Sequence, residues 1–130
     1  MAFPYKKMDQ ADFSAIQSFT DTSRVWIGED IPYEYHHDEM PEYGIYAPEC
    51  YVEVINKEEI SKIMAYANQY NIAVVIRGAG TGLAGGATCK YGGIMLSIMR
   101  MNKIYPVDHK NQTITVQPGA LLCDVQDVVK

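Results

Sequence analysis

Residues 77–86 read RGAGTGLAGG, five glycines in ten positions, and they follow directly on the apolar run NIAVVI. Glycine admits positive φ and lets the backbone come close to another molecule. Successive amides can then point to one side and form a nest for an anion. Three phosphate-binding patterns compete. A P-loop needs GxxxxGK followed by Ser or Thr. Gly80 and Gly85 have that spacing, but Gly86 and Ala87 occupy the places of the Lys and the hydroxyl, so this pattern fails. Gly80, Gly82 and Gly85 satisfy GxGxxG, and Asp108 lies at about the distance of a ribose-binding acid. That fingerprint must open a helix whose N-terminus shares the anion, and residues 87–93, ATCKYGG, are too short and too glycine-rich for one. The third pattern is a nest with no following helix. In it Arg77 adds charge or braces the loop, and Thr81 supplies a hydroxyl. A glycine-rich bend between two buried strands, with no ligand, stays open beside it.

Other constellations carry less. His36 and His37 stand next to Asp38 and Glu39. Adjacent side chains diverge in an extended segment, and no distant Cys–His pair has ligand spacing, so packing or solvation is the expected role. His109 is expected at an exposed turn. No Ser–His–Asp, Cys–His or paired-carboxylate arrangement emerges from spacing, and no catalytic or metal-binding residue is assigned. Cys50, Cys89 and Cys123 show no CxxC pairing, which fits reduced thiols in a cytoplasmic protein, used as small buried apolar residues. The ten tyrosines and Met95, Met99 and Met101 are expected to be packing residues.

The elements that must position the loop can be read from periodicity. Residues 9–20 read as a short helix and residues 25–27 as a short strand. Residues 31–44, with two prolines among aromatics and charges, read as irregular. CYVEVI, residues 50–55, is rich in strand formers. Asn56 with Glu59 has capping-box spacing. Ile60, Ile63, Met64, Ala67 and Tyr70 then mark an amphipathic helix that Asn71 ends. Residues 72–76 form a second strand consistent with burial on both faces. The β–α–β order makes the two strands parallel. Residues 93–98 are a third apolar run. Residues 104–107 and 113–116 read as two further strands joined by a turn at DHKNQ. Leu121, Leu122, Val125, Val128 and Val129 give a last helical face. It runs to Lys130 without a stop signal, an ending expected of a chain that is cut rather than finished. The fold class is therefore α+β: a β–α–β unit followed by further strands and a C-terminal helix.

At 130 residues the chain suits one domain with a sizeable core. Apolar residues make up 48%, charged residues 21%, and the net charge is −5, which argues against nucleic acid or an anionic membrane surface as partner. No apolar run is long enough to span a bilayer, and MAFPYKKMDQ lacks the apolar core of a secretory signal.

RGAGTGLAGGA, the preceding CYVEVINKEEISKIMAYANQYNIAVVI, and the continuation YGGIMLSIMRMNKIYPVDHKNQTITVQPGALLCDVQ together resemble a known family. It is the FAD-binding domain of the vanillyl-alcohol oxidase / p-cresol methylhydroxylase superfamily, in the branch of the glycolate oxidase flavin subunit and the flavin D-lactate dehydrogenases. The upstream YEYHHDE is similar to the segment preceding the domain there, and the likeness covers residues 29–130. The resemblance implies FAD, with Gly78, Ala79, Gly80, Thr81 and Gly82 at the diphosphate. Arg77 and Leu83 border that site, and Pro118 and Gly119 form a turn close to the cofactor. It also implies a lead-in over residues 1–43, and over residues 44–130 the N-terminal part of an FAD-binding domain that continues further in the family. The implied activity is hydride transfer from a D-2-hydroxy acid to flavin, with electrons leaving through an iron–sulfur or electron-transfer-flavoprotein partner. The substrate domain of such an enzyme is absent from these residues. The other reading is a nucleotide-binding or interaction module that does not retain FAD on its own.

Overall fold

The computed structural model describes residues 4–130, so the start of the lead-in and of MAFPYKKMDQ lies outside the described residues. Helix α1 spans Gln10–Phe19 and strand β1 Val25–Ile27. Three further strands, β2 (Cys50–Glu53), β3 (Val74–Arg77) and β4 (Ile94–Ser97), join β1 in one sheet of order β1-β2-β4-β3. Helix α2 (Lys57–Tyr70) crosses from β2 to β3, and helix α3 (Leu122–Val128) closes the chain. The class is α+β, as the sequence implies. β1 runs antiparallel to β2, whereas β2, β4 and β3 are mutually parallel. The two strands of the β–α–β unit are therefore parallel but not neighbours, because β4 is inserted between them.

Alternation along the strands divides the core in two. Cys50, Val52, Ile94, Leu96 and Val74 face α1 and α2, where Ile16, Ile63, Ala67 and Ile72 complete an aliphatic cluster. Tyr51, Met95 and Val75 face the other way, against Trp26, Ile31, Tyr35 and Cys89. The first face is covered by helices. The second is covered by the irregular stretch 28–48, which holds three 3-10 turns, and by the chain leading into β4. Because β3 is an edge strand, Ile76 is 48% exposed, which corrects the expectation of burial on both faces.

Local signals set the helix limits. Asp9 caps α1 by accepting from the N–H of Asp12, whose carboxylate returns the bond to the N–H of Asp9. Buried Asp12 also accepts from Lys6 Nζ and the Tyr66 hydroxyl, which ties α1 to α2. Asn56 accepts from the N–H of Glu59 at the start of α2, and Asn71 ends that helix in the left-handed region at φ 55°. The expected capping box is only half made. Glu59 takes the N–H of Ile55 instead of that of Asn56, and pairs with Arg24.

Residues 104–107 and 113–116 are not the expected strands. They meet only at two isolated antiparallel bridges, Ile104 with Val116 and Asp108 with Thr113. Pro106 sits between the bridges and has no N–H to donate, so the ladder cannot continue. Helix α3 buries none of its residues. All three thiols are free. Cys50 and Cys89 are buried as expected, but Cys123 is exposed on α3.

Candidate functional site

The glycine loop leaves the carboxyl end of β3 and returns over the aromatic face of the sheet toward β4. Its five glycines fall into two groups. Gly80 and Gly85 have φ of +75° and +71°. A Cβ on Gly80 would overlap the Arg77 guanidinium, and one on Gly85 would press on Tyr43 at 3.2 Å. The fold itself requires these two. Gly78, Gly82 and Gly86 have no left-handed backbone, and a Cβ at each would meet nothing within 4 Å. Neither conformation nor packing asks for glycine there; the room is on the open side of the loop. Among the described residues, the N–H groups of Gly78, Ala79, Gly80, Thr81, Gly82 and Leu83 find no acceptor in the protein. A run of backbone N–H groups without a protein acceptor, in a loop with room beside its glycines, is what an anion nest needs.

Arg77 braces this loop from beneath. It lies on the aromatic face, 7% exposed. Nη1 donates to the carbonyls of His37 (2.7 Å) and Ala87 (3.4 Å), and Nη2 to that of Glu34 (3.2 Å). Its guanidinium also stands 5.4 Å from the Tyr35 ring centroid. Tyr35 stacks on Tyr51 at 4.1 Å, and Tyr51 meets Trp26 at 5.2 Å. An aromatic row thus runs from β1 to the root of the loop. Thr88 closes the far end by donating its hydroxyl to the Gly85 carbonyl at 2.7 Å. Burial pushes the nearby Cys89 thiol up to about 12, although the Arg77 charge pulls it the other way, so this sulfur is a packing atom and not a nucleophile.

The Pro118–Gly119 turn reaches the same edge of the sheet. The Gly119 N–H donates to the Met101 carbonyl (2.8 Å), Met101 to Ile98 (2.9 Å), and Ile98 to Arg77 (3.1 Å), linking the turn to the root of the loop. A Cβ on Gly119 would overlap the Ile98 carbonyl, so only glycine permits this approach. Leu83 is 66% exposed on the loop, and Thr81 and Pro118 are exposed as well. The structure therefore brings residues 77–83 and 118–119 to one end of parallel neighbours β3 and β4, where open α/β sheets hold ligands. Asp108 does not take part; its carboxylate is held by Asn111 in the hairpin turn. No helix opens from the loop, so the Rossmann pattern is not met.

Sequence reasoning missed the contribution of residues 34–37. The carbonyls of Glu34 and His37 and the ring of Tyr35 hold Arg77, and no periodicity marks a carbonyl as an acceptor. The sole signal is the YEYHHDE segment itself. Among the described residues no group of three His, Cys, Asp or Glu side chains could hold a metal ion, and no helix is long and apolar enough to cross a membrane. A cavity of about 520 Å³ lies away from the loop, at the amino-terminal edge of the strands, lined by Tyr46, Glu49, Lys90 and Gly92 among others.

Residues 48–130 match the family described as FAD binding domain. A D-lactate dehydrogenase of Anaerostipes hadrus is 42% identical over 108 residues, which is 82% of this chain and 23% of that protein. The glycolate oxidase subunit GlcD of Bacillus subtilis (strain 168) is 36% identical over 91 residues, 70% of this chain and 19% of its own length. The chain thus spans less than a quarter of these relatives. Among solved structures, p-cresol methylhydroxylase superposes with a TM-score of 0.79 at 22% identity, over 98% of this chain and 26% of that one, a likeness of fold. Sequence match and fold agree: the chain belongs to the FAD binding domain family.

Proposed function

We propose that this chain binds FAD, holding the diphosphate with the backbone amides of Gly78, Ala79, Gly80, Thr81 and Gly82. Arg77 and Leu83 border the site, and Pro118 and Gly119 approach the cofactor from the neighbouring strand exit. The observation that carries this reading is the set Gly78, Gly82 and Gly86, glycines that nothing inside the protein requires. A glycine-built nest of backbone amides suits a diphosphate that links two organic halves. In this reading residues 44–130 form the N-terminal part of the cofactor domain. Residues 1–43 are its lead-in.

The relatives' names support the activity: in this reading the whole protein is a flavin-dependent oxidoreductase of a D-2-hydroxy acid such as lactate or glycolate. The same reading puts it in the cytoplasm, passing electrons to an iron–sulfur or electron-transfer-flavoprotein partner. Bound flavin supplies acceptance of hydride from the acid's α-carbon. The residues of this chain bind and orient the cofactor; none of them is placed on the substrate.

The test uses Gly82→Val, whose side chain enters open space. The variant is expected to melt with the wild type and to lose FAD affinity by at least about tenfold, read by flavin fluorescence titration. Stoichiometric FAD on the purified wild-type chain rules out the alternative of a nucleotide-binding or interaction module that does not retain FAD. Equal FAD affinity in wild type and Gly82→Val ends the nest assignment.

A further inference from the structure

Among the described residues, Arg77 is a buried cation without an ion-pair partner: it is 7% exposed, and none of the ion pairs includes it. Buried charges are ordinarily paired, because losing water without a counter-charge is costly. Among the described residues the direct contacts of Arg77 are neutral: the carbonyls of Glu34, His37 and Ala87, and the face of Tyr35, while the carboxylate of buried Asp38, next to His37, makes no ion pair with it. These contacts fix its position without cancelling its charge.

That position is directly under the nest. Gly80, whose N–H is one of the free donors, lies so close that a Cβ would overlap the guanidinium. The three carbonyls hold both terminal nitrogens, so the group cannot swing out to touch a ligand while it supports the loop. Resting on the diphosphate assignment above, we propose that Arg77 is a built-in counter-charge. It is a positioning residue that fixes the nest and acts on the ligand's diphosphate through space, and the bound anion, not a protein carboxylate, completes it. It follows that residues 33–37, which precede the matched family region, belong functionally to the site because they hold this cation.

The experiment titrates the whole chain, as wild type, Arg77→Gln and Arg77→Lys, with FAD, ADP, inorganic pyrophosphate and riboflavin at low and high salt. Melting temperatures are recorded for each variant. R77Q is expected to weaken FAD, ADP and pyrophosphate by about tenfold at low salt and less at high salt. Riboflavin, which carries no phosphate, should bind R77Q as it binds the wild type. R77K keeps the charge and should recover most of the diphosphate affinity, and if R77Q does not fold, the salt series on R77K against wild type decides. A loss equal for riboflavin and FAD, or an R77K loss as large as that of R77Q, reduces Arg77 to scaffold and overturns the proposal. Unchanged ADP affinity in R77Q also overturns it. ADP bound in an Arg77-dependent way, with FAD no tighter than ADP, supports the counter-charge and removes the FAD assignment. A wild-type chain that takes none of the phosphate ligands overturns both.

Discussion

Arg24 and Arg77 stand at the same carboxyl-terminal edge of the sheet and are completed in opposite ways. Arg24 donates to the carbonyl of Glu53 at the end of β2 and makes two bonds to Glu59 of α2, at 3.0 and 2.6 Å, with both side chains 11% exposed. Its charge is neutralised inside the protein, and the corner where β1, β2 and α2 meet is closed. Arg77 is also buried, but among the described residues its hydrogen bonds go to carbonyls and no carboxylate pairs with it. The first corner is structural and self-sufficient; the second carries loop N–H groups without a protein acceptor and glycines with room beside them.

The largest effect that would test this contrast comes from breaking the closed corner. Arg24→Met leaves the Glu59 carboxylate buried without its cation and should cost about 3 kcal/mol of stability by denaturant unfolding. Ligand preference should not change. The hydrogen bond from Arg24 holds the Glu59 carboxyl below its ordinary 4.5, against the opposing pull of burial. A depressed folded-state value means stability that is present above about pH 4.5 and lost as pH falls toward the folded value. The Glu59 share of that acid-side loss should disappear in Arg24→Met, so a stability–pH profile as steep as the wild type's would show the pair to be idle. Adding Glu59→Gln should recover part of the cost.

A middle-sized effect tests the open side. Gly119→Ala pushes a methyl into the Ile98 carbonyl and should destabilise by about 2 kcal/mol. Because Gly119 is linked through Met101 and Ile98 to Arg77, FAD affinity should fall as well. Retained affinity in a destabilised Gly119→Ala would detach this turn from the site. The smallest expected effect belongs to the closed side again. Asn56→Ala removes the cap of α2 and should cost about 1 kcal/mol by thermal melting, with ligand affinity unchanged.

The sequence makes legible what short-range pattern encodes. α2 and its Asn71 terminus, β2, the apolar core of β4 and the glycine loop all follow from spacing within a few residues. The division of the loop glycines is not legible, because Gly80 and Gly82 look alike until the position of Arg77 is known. Glu59 has the spacing of a capping residue, three positions after Asn56, whereas its other partner comes from Arg24, 35 residues away. The strands expected at 104–116 fail for a local reason that is visible in the sequence: Pro106 interrupts a stretch otherwise rich in strand formers. Sequence leaves Arg77 open between charge and brace; the structure shows the brace, and the charge is the role proposed above.

The insertion of β4 between β2 and β3 also constrains how the chain acquires its shape. Cys50 and Val74 each align with Ile94, so β2 and β3 share no ladder until the last of the three strands arrives. On a ribosome, everything up to the glycine loop must emerge and wait, with two strand edges unpaired, before the sheet can close. Such late, long-range pairing is slow and leaves the waiting edges open to other chains. The loop that reads as a ligand cradle is, during synthesis, the tether whose slack lets β4 find its slot.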